Sequence, residues 1–136
     1  MIGILPEFGP DTAEFWAYAQ RKELRMQKCT NCGKFRWPPS PRCPACWSPA
    51  SEWTLLSGHG LMRSWVTYRR QYYPEFPIPY SVALVELDEG PRYQALLVNC
   101  DTESLRYEMR LSVTFVQVEE RDGSGKTMLL PMFQPG

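Results

Sequence analysis

A chain of 136 residues is long enough for one folded domain with a small appendage, and its 15 basic and 15 acidic side chains leave no net charge. Phosphate binding draws on an excess of Lys and Arg, so this balance argues against nucleic acid as the main partner. No secretory h-region opens the sequence and no apolar run reaches the length of a bilayer span, which points to a cytoplasmic protein with no membrane contact.

The zero hides a polarity. Residues 21–42 carry seven basic groups against Glu23 alone, and residues 86–122 carry nine acidic groups against four arginines. Thirteen prolines and nine glycines indicate a loop-rich, mainly β chain.

Pro6, Gly9 and Pro10 prevent an early helix. Asp11-Thr12-Ala13-Glu14 is spaced as a capping box, and Phe15, Trp16, Ala19 and Leu24 follow at helical spacing. The pattern predicts an N-terminal segment and helix over residues 1–26, with an aromatic face that must dock.

Two cysteine pairs come next. Cys29-Thr-Asn-Cys32 and Cys43-Pro-Ala-Cys46 share CxxC spacing, and ten residues separate them. Each pair on a tight turn aims two thiolates at one point, and two such turns complete a closed tetrahedral site. A closed site is structural, and one zinc ion is the expected occupant. Iron in a redox site is the chemical alternative, since four sulfurs accept either metal. Trp47 stands against iron, because it occupies the place where a second glycine would ease amides toward the sulfurs. In the cytoplasm such pairs bind metal more often than they form disulfides. Residues 27–52 have too few apolar side chains for a core, so metal supplies most of their folding energy. Part of the basic excess balances the negative charge that four thiolates leave on a divalent ion.

From Trp53 the period changes to two. Leu61–Tyr68, Tyr80–Leu87 and Leu111–Val118 alternate, Pro91–Cys100 reads as a further strand and Thr127–Phe133 as the last. Five strands over residues 53–136 with no long helix between them predict a small OB-type barrel. Residues 69–79 interrupt the pattern with Pro74, Pro77 and Pro79. This loop brings together Arg69, Arg70, Tyr72, Tyr73 and Phe76, side chains able to stack an adenine, meet phosphates or anchor an interface. The plainer reading is a loop that folds its rings onto the barrel.

The residues of an independent catalyst are missing. Cys100 with His59, the only histidine, is the one candidate pair. A small buried hydrophobe and a solvated ring between Gly58 and Gly60 are the plainer readings.

Taken together, Phe15-Trp16, the four cysteines with Pro38-Pro39 between them, Ser57-Gly58-His59-Gly60, Pro79-Tyr80, Val85 to Arg92, Leu130-Pro131 and Phe133-Gln134-Pro135 resemble the DUF35 family over nearly the whole chain. The sequence departs from that family at Tyr107-Glu108, where an Ile-Gly step is usual. The resemblance implies an N-terminal helix, a rubredoxin-like zinc ribbon and an acyl-CoA-associated OB-fold. It also implies a non-catalytic subunit of a two-component thiolase, or of a thiolase-like acyl-CoA retro-aldolase, in a 2:2 assembly. On that reading Phe15, Trp16, Trp37 and Trp47 face the thiolase-fold partner. Arg69, Arg70, Tyr72, Tyr73 and Phe76 approach a CoA thioester bound jointly with it. A single-stranded nucleic-acid-binding ribbon/OB module is the reading from another class, and an iron electron carrier a third.

Overall fold

A computed structural model describes residues 1–136. Strand β1 (Ile2–Gly3) is followed by helix α1 (Ala13–Ala19). The ribbon strands are β2 (Arg25–Cys29), β3 (Phe35–Arg36) and β4 (Ser51–Leu55). The barrel strands are β5 (His59–Tyr68), β6 (Tyr80–Leu87), β7 (Arg92–Leu96), β8 (Arg110–Glu120) and β9 (Thr127–Pro135). The expected mainly β architecture is present: one helix, a four-cysteine ribbon and an OB-type sheet.

The helix is shorter than its sequence pattern. It ends at Ala19 because Lys22 adopts a left-handed φ of 61°, and the Glu23 amide folds back to Tyr18 O at 3.1 Å. Leu24 and Met26, which continue the apolar spacing, are buried beyond the helix, Met26 on β2. The capping box does not form. Thr12 is the N-cap and makes no side-chain bond to a helix amide; its Oγ1 instead accepts from Gly9 N–H at 2.9 Å.

The small sheet has the order β3-β2-β4, and β2 pairs with β4 from Arg25↔Leu55 to Cys29↔Ser51. This pairing carries the ribbon sheet to Leu55. The larger sheet runs β1-β8-β5-β6-β7 with β9 on β8. An isolated parallel bridge, Leu97↔Phe133, joins its two ends, and Val98 N–H donates to Phe133 O at 2.9 Å. The five barrel strands therefore curl as expected, and β1 adds a sixth, parallel to β8, that two apolar residues could not announce.

Local geometry explains the lead into the barrel. A Cβ at Gly60 would lie 2.5 Å from Glu86 O, so only glycine allows β5 to approach β6 there. The β5–β6 register shifts between Met62 and Ser64, a bulge that re-aims Arg63. Arg63 then donates to Glu86 (Nε 3.0 Å, Nη2 2.6 Å), Tyr107 and Glu108. Glu108, in the Tyr107-Glu108 departure, takes a φ of 66°. Its amide still reaches Met62 O at 2.9 Å.

One core serves helix, ribbon and barrel. Phe15 from α1, Leu24, Met26 and Leu56 from the ribbon side, and Tyr93 and Phe133 from the barrel belong to one buried cluster.

Candidate functional site

The four cysteines converge. Their sulfurs all lie within 4.8 Å of one another, with Cys29 to Cys46 and Cys32 to Cys43 both at 3.6 Å. A tetrahedron with metal–sulfur bonds of ~2.3 Å has edges of about 3.8 Å, so the thiols already approximate the coordination polyhedron. Cys29 and Cys43 are buried, and Cys32 and Cys46 lie at the surface. No fourth position is left for water, as a structural rather than catalytic ion requires.

Backbone amides prepare the sulfurs. Cys32 N–H donates to Cys29 Sγ, and Ala45 N–H to Cys43 Sγ, each at 3.4 Å. The Cys32 amide is the main reason the Cys29 thiol is lowered to about 6, and the Cys46 amide the main reason Cys43 is lowered. At Cys32 the Lys34 amide acts in the same direction, but burial and the neighbouring thiols outweigh it and push the group up to about 11. Within the first knuckle Cys29 is thus the readier thiolate.

Arg36, one of the seven basic groups of residues 21–42, is 2% exposed. Register places it opposite Gln27 on β2. Its Nη1 donates to Ser40 O at 3.1 Å and its Nη2 to Ala50 O at 3.4 Å, while Nε is buried without a partner. Ser40 and Ala50 flank the second knuckle, so one guanidinium grips both sides of the Cys43–Cys46 turn. Its charge also offsets part of the negative charge of a metal tetrathiolate.

The expected interface aromatics divide. Phe15 is 1% exposed and lies 4.5 Å from Trp37 and 4.8 Å from Trp16 between ring centroids. It is a core residue, which corrects its assignment to a partner surface. Trp37 is half-buried between Phe15 and Tyr93, 5.1 Å from the latter, and so packs the ribbon on the barrel. Trp16 is half-buried. Trp47 alone of the four is open, at 70%.

The 69–79 loop folds much of its aromatic content onto itself. Tyr68 stacks on Tyr80 at 4.8 Å, Tyr73 meets Phe76 edge-on at 5.3 Å, and Arg121 covers Tyr73. Arg69 and Arg70 remain exposed. Arg69 lies 3.6 Å from Glu103 and Arg70 rests over the ring of Tyr72.

Phe76 also lines a cavity of about 880 Å³, missed by sequence reasoning because its wall comes from distant segments. Trp16, Pro79, Ala95, Leu97, Cys100 and Met132 contribute. No lysine or arginine lines it. Cys100 faces this space, and burial, with Asp101 nearby, raises its thiol above the ordinary range. His59 lies elsewhere, at the start of β5 opposite Ser112. His59 does not line the space that Cys100 faces, so no Cys–His nucleophile is assembled.

Residues 16–52 match the family model described as "ChsH2, rubredoxin-like zinc ribbon domain", and residues 53–116 the one described as "ChsH2, C-terminal OB-fold domain". This chain belongs to the ChsH2/DUF35 family. The family's zinc ribbon spans all four cysteines, whose clustered sulfurs suit such an ion. A "DUF35 domain-containing scaffold protein" of Pyrococcus furiosus is 30% identical over 90% of this chain and 91% of its own length. The "probable enoyl-CoA hydratase alpha subunit" of Thermomonospora curvata is 30% identical over 96% of this chain. The "3-oxo-4,17-pregnadiene-20-carboxyl-CoA hydratase alpha subunit" of Mycobacterium tuberculosis is 32% identical over 82%. This ChsH2/DUF35 chain spans only 39% and 35% of those two relatives. A solved structure described as "Ltp2-ChsH2(DUF35) aldolase" superposes with a TM-score of 0.84 at 30% identity, over 96% of this chain and 98% of that one.

Proposed function

We propose that this chain is the non-catalytic zinc-ribbon/OB subunit of a thiolase-fold enzyme that cleaves or forms carbon–carbon bonds in acyl-CoA thioesters. The end-to-end match to one chain of an aldolase complex carries the reading, and it favours the retro-aldol form over thiolysis. The hydratase names belong to relatives of which this chain spans little more than a third, so that activity is not transferred to it.

The division of labour follows from chemistry. The thiolase-fold partner supplies nucleophile and base, while this chain supplies rigid surface. The zinc ion holds the finger in one shape. The cavity walled by Trp16, Phe76 and Leu97 takes apolar substrate, since its lining is mostly hydrophobic and holds no lysine or arginine. Arg69 and Arg70, exposed at the hairpin end, take the CoA phosphates, with Tyr72 and Tyr73 beside them. A 2:2 assembly in the cytoplasm completes the proposal.

The test is co-expression with a thiolase-fold aldolase subunit of the Ltp2 type, followed by light scattering on the eluted complex and a retro-aldol assay. The expected result is one 2:2 species whose activity needs both chains. Separate elution with full activity in the large subunit alone would overturn the proposal.

A further inference from the structure

The two cysteine knuckles are copies of one turn. In the first, Cys29 N–H donates to Lys34 O at 2.9 Å and Gly33 N–H to Cys29 O at 2.9 Å. In the second, Cys43 N–H donates to Ser48 O at 2.9 Å and Trp47 N–H to Cys43 O at 2.8 Å. In each, the residue after the second cysteine enters the left-handed region, Gly33 with φ 80° and Trp47 with φ 67°. Glycine adopts that backbone freely, whereas a bulky L-residue is strained there.

Trp47 gains little inside its own chain to offset this strain. Its ring is 70% exposed. Only the Arg42 guanidinium lies over it, 5.9 Å from the centroid, and the same side chain donates Nη1 to Trp47 O at 3.1 Å. Pro41, Pro44, Ala45 and Pro49 around it are exposed as well. The tip is thus apolar and proline-rich, and carries one exposed indole beneath the Arg42 guanidinium. Strain kept at a non-glycine residue without an internal reward marks a functional position.

We propose that Trp47 is a preorganised anchor that enters an apolar pocket, with a carboxylate at its rim, on the enzyme subunit this chain accompanies. The partner's nature follows from charge. Arg42 is the only charged residue from 41 to 50, too few for a phosphate backbone or an anionic bilayer, where several cations act together. A lone arginine beside an indole instead suits a protein hot spot, in which Trp and Arg concentrate binding energy. The guanidinium N–H groups not used on Trp47 O remain for the rim carboxylate. The inference rests on the accessory-subunit reading above.

The discriminating variant is Trp47→Gly, which gives the second knuckle the residue the first already uses. In the full chain it should keep one zinc and melt no lower than wild type. Its Kd for the co-expressed thiolase-fold subunit should rise at least 30-fold, and Trp47→Phe should fall between. A lower melting temperature or lost zinc in Trp47→Gly would make the indole a structural residue and overturn the anchor. An unchanged Kd in an otherwise normal complex would overturn the anchor alone. A wild-type chain that fails to bind the subunit would overturn the accessory-subunit reading and the anchor with it. Trp47-dependent binding of a single-stranded oligonucleotide would overturn the protein pocket as its target.

Discussion

Gln20 pairs with Leu129 as though it were a piece of β-strand: Nε2 donates to Leu129 O at 3.0 Å, and Leu129 N–H donates to Oε1 at 2.9 Å. The same Nε2 lies 2.9 Å from Trp16 O, so one amide caps the helix and occupies the outer edge of β9. Gln20→Ala should lower stability by about 1 kcal/mol, because these bonds are exchanged for water. Gln20→Glu should cost at least as much, since a carboxylate cannot donate to Leu129 O. Urea unfolding curves of the three proteins at neutral pH check both.

Loss of any one cysteine among Cys29, Cys32, Cys43 and Cys46 should unfold the ribbon, because most of a metal-binding free energy of ~10 kcal/mol or more disappears with the fourth sulfur. Serine variants should elute without zinc by elemental analysis. They should lose amide dispersion for residues 25–55 while the signals of β6 and β8 persist.

Arg36 is testable apart from the ligands. Arg36→Lys keeps the charge but removes the fork that reaches Ser40 O and Ala50 O together. The expected cost is about 2 kcal/mol, as for buried groups left without partners. Zinc transfer to a competing chelator should be faster than in wild type, with no change in zinc stoichiometry.

The Glu86–Arg63 contact predicts a pH dependence. Two bonds from Arg63 hold the Glu86 carboxyl below the usual carboxylate range, and burial opposes them only in part. A carboxyl whose folded value is depressed stabilises fully above its unfolded value, and the contribution drains as pH falls through the folded one. Glu86→Gln should therefore melt below wild type at neutral pH. The gap should close progressively below the ordinary glutamate value of about 4.3, as thermal melts across an acid pH series would show.

Exchanging Arg69 and Arg70 together for alanine should raise the KM for a CoA thioester in the two-subunit enzyme roughly tenfold, the equivalent of about 1.4 kcal/mol, with kcat unchanged. Steady-state kinetics at fixed ionic strength provide the check. An unchanged KM would remove both arginines from the phosphate assignment.

Much of the architecture was readable from local pattern. Tyr80–Leu87 reads as a strand and forms one with those limits, its burial alternating along the whole length. The CxxC spacing alone defined the ligand set, because covalent proximity and a tight turn leave the thiols little freedom. Where the sequence misled, non-local contacts decided. Leu24 and Met26 fit a helical stripe, but the left-handed turn at Lys22 redirected the chain and gave Met26 to a strand. Phe15 is as apolar as any interface residue, and its contacts with Trp37 and Tyr93, distant in sequence, reveal it as core. The cavity wall and the burial of Arg36 depend on pairings between segments far apart in sequence, which no periodicity records.

Only Leu56, Ser57 and Gly58 separate the last strand of the finger from the first of the barrel, and Leu56 is clasped at both ends of its chemistry. Its amide donates to Leu24 O at 2.9 Å, and its side chain is sunk in the shared core. A joint so short and so held has no hinge. A protein docking on both the knuckle tip and the barrel would consequently meet them at one fixed separation, and one whose own contact points were spaced differently would be refused on distance alone, however well either half matched.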